Sequence, residues 1–264
     1  MAVIAITGGT GFIGGHLARA LVAQGHLCKL IARGISHRED PILKLPNVSF
    51  TPVKLTEERQ LFQALGGSDA LVHLIGINRE KAPGDFERIH VKGTQTIVSQ
   101  ALAAQIKKIV FVSFFRARKS MTSKYLDTKW RAEEIVRNLP IDFTIVRPGI
   151  VYGQGDQMLQ SIVHGLDIVP GIALFPSFGI LEKPINPLAV EDLVNVLVAS
   201  LTDTALSRKT VSVTGPDDIG LSTVARRVGK VLKKPVLTIP TPVFAHYVLA
   251  LTQAGGPDPI VTPS

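Results

Sequence analysis

A glycine-rich segment near the start of the chain constrains its fold more than any other feature of the sequence. Residues 7–14 read TGGTGFIG and directly follow the apolar run Val3–Ile6. After the glycines, apolar residues recur with the spacing of one helical face, at Leu17, Ala18, Leu21 and Val22. A strand that breaks into glycines and continues as a helix is typical of the first βαβ unit of a dinucleotide-binding sheet.

The glycines of this loop each have a physical role in such a unit. Gly8 and Gly11 allow a tight turn that brings backbone N–H groups close to a pyrophosphate, and Gly14 allows the helix to pack close to the sheet. The helix N-terminus adds unpaired donors and the positive end of its dipole. An ordinary glycine-rich turn without a ligand is the alternative, but the position between a strand and a helix favours a dinucleotide site. The loop residues expected to contact the cofactor are Gly8, Thr10, Gly11, Phe12, Ile13 and Gly14.

Alternating strand and helix patterns occupy the first 150 residues. The strand patterns are apolar runs at Val3–Thr7, Leu27–Ala32, Val48–Val53, Ala70–Ile75, Ile109–Ser113 and Phe143–Arg147. The helical patterns between them lie near Phe12–Gln24, Glu57–Leu65, Asp85–Ala104 and Lys124–Asn138. This alternation predicts an α/β fold of the Rossmann type, with a doubly wound parallel sheet covered on both faces. We therefore predict a dinucleotide-binding domain at residues 1–150 and a smaller C-terminal substrate or partner lobe at 151–264, interleaved with the last strands of the sheet.

Tyr125 and Lys129 form the second informative motif. Their i, i+4 spacing places both side chains on one face of a predicted helix. A phenol has a pKa near 10, and a neighbouring ammonium group is expected to lower it. Tyr125 would then exchange a proton with a substrate hydroxyl or carbonyl while a nicotinamide exchanges a hydride, and Lys129 is also suited to holding ribose hydroxyls. An ordinary pair on a surface helix is the alternative.

Together, these motifs resemble the extended or atypical short-chain dehydrogenase/reductases. The resemblance rests on TGGTGFIG, on the Tyr125–Lys129 pair and on the segment RPGIVYG at residues 147–153, and it covers nearly the whole chain. Within that superfamily the chain looks most like proteins related to the NAD(P)-binding accessory subunit of respiratory complex I. Sugar-nucleotide epimerases and dehydratases are neighbouring groups.

The resemblance implies a function and several residue roles. It implies an NAD(P)-dependent oxidoreductase or epimerase/dehydratase-type enzyme that transfers a hydride to or from a carbonyl or hydroxyl substrate. Tyr125 and Lys129 would be the catalytic pair, and Lys129 would also bind the cofactor. Gly76 would line the nicotinamide-ribose side, and Pro148 would approach the nicotinamide.

Positions after the fifth strand and on the helix before it depart from the family pattern. The third catalytic residue of the family is a Ser or Thr just after the fifth strand, and Ser113 is the candidate hydroxyl there. Related chains, however, place that hydroxyl two positions further on, where this chain has Phe115. His90 stands where the family has an asparagine, and both a proton relay and a packed histidine are open for it. These departures support an alternative function, namely a non-catalytic NAD(P)-binding scaffold, assembly factor or redox-responsive regulator.

Arg33 bears on the choice of cofactor. Members of the family that prefer NAD carry an acidic residue near the end of the second strand, where it binds the ribose hydroxyls. Here the strand runs into Arg33, with His37 and Arg38 nearby and no acid before Glu39. A guanidinium group suits a 2′-phosphate. We therefore predict NADP(H) in preference to NAD(H), with an ordinary exposed arginine as the alternative.

The net charge of +8 concerns the partners of the protein. Basic residues are dense between Lys107 and Arg131, where the sequence has one acid, Asp127. A solvated surface, an anionic small-molecule substrate and a polyanionic partner are all compatible with this density. No nucleic-acid-binding motif accompanies the charge, which disfavours nucleic acid as the partner. A small-molecule substrate is expected, and a peripheral protein partner stays open.

The remaining composition concerns compartment and metal binding. Cys28 is the single cysteine, so no disulfide and no cysteine-based metal site is expected, and a reducing compartment is predicted. No apolar stretch reaches the roughly 18 residues of a membrane span. The first strand begins at Val3, so we expect no signal peptide and predict a cytoplasmic location.

Overall fold

A parallel seven-stranded sheet organises the computed structural model, which describes residues 1–34, 41–167, 172–178, 182 and 184–241. The strands of the described chain, in chain order, are β1 (Val3–Thr7), β2 (Leu27–Ala32), β3 (Val48–Pro52), β4 (Ala70–His73), β5 (Lys108–Val112), β6 (Asp142–Pro148), β7 (Val151–Tyr152), β8 (Ala173–Phe178), β9 (Leu188–Ala189), β10 (Lys209–Val213) and β11 (Val236–Thr241). The order across the large sheet is β10-β6-β5-β4-β1-β2-β3. This is the doubly wound Rossmann arrangement, and the predicted fold class is confirmed.

Helices alternate with the strands along the chain. The α-helices are α1 (Phe12–Ala23), α2 (Glu58–Leu65), α3 (Gly93–Ala103), α4 (Lys124–Arg137), α5 (Gln157–Asp167), α6 (Val190–Thr202) and α7 (Leu221–Val231). The predicted helix at Asp85–Ala104 is not uniform, because a π-helical turn at Glu87–Lys92 precedes α3. Such turns are often found at functional sites, and this one carries His90.

Burial explains why the strands read as continuous apolar runs. All four residues of β4, in the middle of the sheet, are buried. The edge strand β10 has no buried residue, and its neighbour on the inner side, β6, is mostly buried. Central strands of a parallel sheet have helices on both faces, so both faces must be apolar. No helix among the described residues is long and apolar enough to span a membrane.

The chain divides into two compact units. The first contains Met1–Pro148 and Val190–Val213, and the second contains Gly149–Ala189 and the residues from Thr214 onward. Val190–Val213, which the predicted boundary assigns to the smaller lobe, belongs to the first unit. The reason is that β10 pairs with β6 along five residues and α6 packs against α1.

The second unit has its own small core. β8 pairs in parallel with β11, and β7 pairs in parallel with β9. Helices α5 and α7 pack against β8 and against each other. Their apolar residues form a buried cluster of Ile162, Leu166, Ala173, Phe175, Val224 and Ala225.

Candidate functional site

The candidate site lies at the centre of the large sheet, where the strand order reverses. β1 and β4 are neighbours there, and chain connections leave them in opposite directions across the sheet. The backbone N–H of Leu74 donates to the Thr7 carbonyl at 3.0 Å, which joins the two strand ends. In doubly wound sheets, ligands bind in the crevice outside the carboxyl ends of the strands at this point. The glycine loop follows β1 there, and the segment 74–76 follows β4.

The glycine loop is packed so closely that side chains at Gly8, Gly9 and Gly14 would crowd neighbouring atoms. A Cβ atom on Gly14 would lie 2.6 Å from the Gly8 carbonyl oxygen, which lets α1 approach the loop. Gly8 has φ +77°, a left-handed conformation, and a Cβ there would lie 3.3 Å from the Ile75 nitrogen. Gly9 was missed by the sequence analysis, but a Cβ on it would lie 2.8 Å from the Leu30 side chain.

The N-terminus of α1 begins directly after this loop. Gly11 is exposed and precedes the first helical residue, with no side chain capping the helix. Thr10, Phe12 and Ile13 are half-buried beside it. The first backbone N–H groups of a helix have no intrahelical partner, so this end offers donors to an anion. The loop therefore fits a dinucleotide pyrophosphate, and the contacts predicted for its residues remain predictions.

Tyr125 lies near the start of α4, which Ser123 caps by accepting the Leu126 N–H. The tyrosine ring makes edge contacts with three aromatic rings, at Phe86, His90 and Phe114. This burial raises the pKa of Tyr125 to about 12. The sequence-based expectation that Lys129 would lower this pKa is wrong, because burial of the hydroxyl disfavours the charged phenolate.

Lys129 lies one turn further along α4 and is buried at 6% exposure. Burial lowers the pKa of its ammonium group to about 8, and the charge of Glu133 partly opposes this change. A Cβ atom on Gly76 would lie 2.8 Å from Lys129 Nζ. The fold thus brings together Gly76 and Lys129, which are 53 positions apart in the sequence, and leaves an exposed backbone segment over the ammonium group.

Glu133 anchors the next turn of α4. Its fully buried carboxylate accepts two hydrogen bonds from Arg147 on β6, at 2.8 and 2.6 Å, and one from Arg137 at 2.6 Å. A bidentate arginine–carboxylate pair constrains orientation as well as distance. This pair therefore ties the helix that carries Lys129 to the strand that ends at Pro148. Sequence reasoning missed Glu133, although its i, i+4 spacing from Lys129 was a usable signal.

His90 is a packed residue and is 1% exposed. The Thr128 hydroxyl donates to the Lys124 carbonyl at 2.8 Å, so it can accept from Nδ1–H of His90 at 3.0 Å. Nε2 lies 3.1 Å from the Ile77 nitrogen and 3.0 Å from the Ile77 carbonyl oxygen, so it accepts the N–H when the ring is protonated at Nδ1 and donates to the carbonyl in the other tautomer. Burial, and then the charge of Lys129, lower the pKa of His90 to about 3, so the ring is neutral. These contacts favour the packed histidine over the proton relay.

A second buried histidine, His73, was missed by the sequence analysis. It closes the end of β4 by bonding Thr7 through Nδ1 at 2.8 Å and Thr94 through Nε2 at 3.2 Å. Burial, followed by the charges of Lys129 and His90, lowers its pKa to about 3. Two neutral imidazoles therefore lie close enough to Lys129 for its charge to lower their pKa values. Among the described residues, no three His, Cys, Asp or Glu side chains form a metal-binding group.

The segment after β5 carries the remaining candidates. Ser113 is 5% exposed, and its Oγ has no hydrogen-bond partner within the described chain. Phe115 is 43% exposed, and its N–H donates to the carbonyl of the buried Pro148 at 2.9 Å. The position that related chains use for a hydroxyl thus presents an aromatic ring to solvent, and the Ser113 hydroxyl is enclosed. A catalytic role for Ser113 and cofactor contact by Pro148 remain predictions.

Arg33 lies at the carboxyl end of β2, next to β1. Its side chain is exposed and forms no ion pair with any described residue. The Gly8 N–H donates to the Ile31 carbonyl at 2.8 Å, so the end of β2 and the glycine loop are directly linked. His37, Arg38 and Glu39 lie outside the described residues.

Comparisons with known proteins support a dinucleotide-binding fold. A family model described as NAD(P)H-binding matches residues 8–166. The mitochondrial NADH-ubiquinone oxidoreductase 40 kDa subunit of Neurospora crassa is 23% identical over 88% of this chain and 64% of its own length. The ceramide reductase of Caulobacter vibrioides is 31% identical over 58% of this chain and 48% of its own length. The chain therefore spans about half to two thirds of these relatives.

A solved structure supports the fold. A short-chain dehydrogenase/reductase superfamily protein from Agrobacterium tumefaciens, with bound NAD, superposes with a TM-score of 0.74 at 18% identity. The match covers 91% of this chain and 86% of that protein. Together with the relatives, it confirms the resemblance to the short-chain dehydrogenase/reductases and to complex I subunits that the sequence motifs indicate.

Proposed function

Because this chain belongs to the NAD(P)H-binding family, we propose that it is an NADP(H)-dependent oxidoreductase or isomerase that transfers a hydride to or from a carbonyl or hydroxyl compound. One observation carries the proposal, namely the burial of Lys129 against Gly76 on the helical face that also carries Tyr125. A buried ammonium group with a lowered pKa is costly to fold. Such groups cluster at functional sites.

The glycine loop would hold the pyrophosphate, and Lys129 with Gly76 would hold the ribose next to the nicotinamide. When bound, the nicotinamide supplies or accepts the hydride. Arg33 supports NADP(H) over NAD(H), since its guanidinium group is exposed and would suit a 2′-phosphate. Pro148 would contact the nicotinamide side of the cofactor.

Tyr125 would supply the proton. With a pKa of about 12, its hydroxyl keeps its proton at neutral pH and is suited to donating it to the oxygen of a carbonyl substrate. A protonated Tyr125 would act as the acid when a carbonyl is reduced, whereas oxidation of a hydroxyl would need its ionised form. The name of the Caulobacter relative, a ceramide reductase, supports a reductase as well. Ser113 would assist only after its enclosed hydroxyl becomes accessible.

Tyr125→Phe tests the catalytic proposal. The variant should lose NADPH-dependent reduction of carbonyl compounds, because the proton donor is gone, and should keep NADPH affinity within about threefold, since the loop and Lys129 remain. Turnover is measured from the decrease in NADPH absorbance across a panel of aldehydes and ketones, and binding from NADPH fluorescence. Unchanged turnover in this variant contradicts the mechanism.

Arg33→Asp tests the cofactor. NADPH affinity should fall about tenfold or more, the range for losing charge-assisted hydrogen bonds, while NADH affinity changes little. Arg59→Asp removes an exposed arginine on α2 and is the matched control. Equal NADPH affinity in wild type and Arg33→Asp overturns the proposed preference.

A second candidate function is a non-catalytic NAD(P)-binding scaffold, assembly factor or regulator. The exposed ring of Phe115 at the hydroxyl position favours it, as does the name of the Neurospora relative, a complex I subunit. Under this alternative, NADPH binds, no carbonyl compound is reduced, and a defined protein partner binds with an affinity that depends on NADPH. A small-molecule substrate and a cytoplasmic location belong to the first proposal and remain predictions.

A further inference from the structure

The segment at residues 114–124, which runs from the loop after β5 to the first residue of α4, exposes an unusual combination of side chains. We call it the basic loop. Its exposed residues are two apolar side chains and four cations, with one threonine, namely Phe115, Met121, Arg116, Arg118, Lys119, Lys124 and Thr122. Met121 is 103% exposed, so its side chain contacts almost nothing in this fold. Because the basic loop follows β5, it lies at the carboxyl edge of the sheet.

The basic loop is held in a defined shape. Ala117 is buried, and its N–H donates to the Phe114 carbonyl at 2.9 Å. Ser120 is bound at both sides, since its N–H donates to Asp127 Oδ1 at 3.2 Å and its Oγ accepts the Ser123 N–H at 3.1 Å. These bonds leave the cations and Met121 outside, so their exposure follows from the local fold.

The positive charge of the basic loop is not neutralised within the described chain. Asp127 is the nearest acid in the sequence, and it is already engaged by the Ser120 N–H and lies 4.0 Å from Arg131. Arg131 itself is paired with Glu87. The four cations of the basic loop take part in no ion pair among the described residues. The basic loop therefore presents positive charge that no acid among the described residues neutralises.

The apolar side chains distinguish between anionic partners. A free anionic metabolite or a nucleic-acid backbone would contact the cations but would leave Met121 in water. An anionic lipid surface accepts both kinds of group, since cations bind headgroups while Phe and Met enter the acyl boundary. We propose that the basic loop binds the surface of an anionic lipid bilayer as a peripheral contact.

Co-sedimentation with lipid vesicles tests this proposal. The full chain should bind vesicles of phosphatidylcholine with a quarter phosphatidylglycerol, and should bind pure phosphatidylcholine far more weakly. Binding to the anionic vesicles should fall at high salt, because salt screens exposed charges. Equal binding to both kinds of vesicle, or to neither, overturns the proposal.

Variants of loop residues test whether the basic loop is the surface that binds the vesicles. Removing two cations with Arg118→Gln and Lys119→Gln should weaken binding roughly 25-fold, at about fivefold for each cation. Met121→Ser should weaken it about tenfold through loss of buried apolar surface. The matched control, Lys44→Gln with Lys107→Gln, removes two exposed lysines that precede β3 and β5 and so lie at the amino edge of the sheet. If this control loses as much affinity as the loop variant, the basic loop is not the binding surface.

Two further measurements separate this proposal from its alternatives. Tyr125→Phe should bind vesicles like wild type, so a failed catalytic proposal leaves this one intact. If soluble polyglutamate or DNA binds as tightly as anionic vesicles, and Met121→Ser changes neither affinity, the loop recognises charge alone and the lipid assignment is wrong.

Discussion

Replacing Lys129 with methionine should stabilise the protein at neutral pH although it removes a residue of the proposed site. Lys129 is 6% exposed, and burial lowers its pKa from the ordinary value of 10.5 to about 8. At about 1.4 kcal/mol per pH unit, this difference corresponds to about 3 kcal/mol of lost folding free energy when the side chain is charged. Methionine has a similar length and carries no charge, so it fills the space without that cost.

The pH dependence of folding stability independently checks whether Lys129→Met stabilises or destabilises the protein. Between pH 8 and 10.5 the unfolded chain binds a proton at Lys129 that the folded protein has lost, so the stability of the wild type rises with pH in this window. Below pH 8 both states are protonated, and the full destabilisation is present. The difference between Lys129→Met and wild type should therefore be about 3 kcal/mol at pH 7 and should decline toward zero near pH 10.5.

Urea unfolding of both proteins at pH 7, 8, 9 and 10 measures this difference. Other groups titrate in this range, but their contribution cancels between the two proteins. Lys124→Met is the matched control, because it removes an exposed lysine from the same helix and should show no such dependence. If Lys129→Met is less stable than wild type at pH 7 by an amount that does not change up to pH 10, the buried ammonium group is not a destabilising charge and the reasoning is refuted.

Two further predictions concern packing around the site. Gly14→Ala would place a Cβ 2.6 Å from the Gly8 carbonyl oxygen, so it should cost about 1–3 kcal/mol in unfolding free energy and weaken NADPH binding, both measurable on the purified variant; wild-type values for both would show that the loop can relax. Glu133→Gln leaves the guanidinium group of Arg147 without its carboxylate and should cost about 3–5 kcal/mol in urea unfolding. The same variant should lower the pKa of Lys129 further, as measured by NMR titration, because the Glu133 charge now raises it; an unchanged lysine pKa would contradict that coupling.

Much of the first unit could be predicted from the sequence because its signals are local. The strands are continuous apolar runs, and the observed β1, β2 and α4 agree with the predicted ranges within one residue. The glycine loop needs no distant partner to be identified, since Gly8 and Gly14 are required by the turn and by the first helix. Local pattern was used less successfully beyond residue 150. The strand β8 contains Pro176 and was not predicted, and α5 was missed although its apolar residues at 158, 159, 162 and 166 recur with helical spacing.

The chemistry of the candidate site depended on contacts between distant residues. The i, i+4 spacing placed Tyr125 and Lys129 on one helical face. It could not show whether the ammonium group or burial sets the pKa of Tyr125. His90 comes from the π-helical turn before α3 and Phe86 from its N-cap position, and Phe114 comes from the segment after β5. Together they enclose the ring, so the pKa rises where the motif alone predicts a fall.

The sequence by itself determined that the chain forms a doubly wound sheet with a dinucleotide loop after its first strand. Periodicity and glycine spacing are properties of neighbouring residues, and they are readable without any long-range contact. Only the tertiary structure decided that Lys129 is buried against Gly76, that Glu133 is tied to Arg147, and that the Ser113 hydroxyl is enclosed while Phe115 is exposed. Burial and charge environment arise from residues far apart in the chain, and these two quantities set the pKa values on which the proposed chemistry depends.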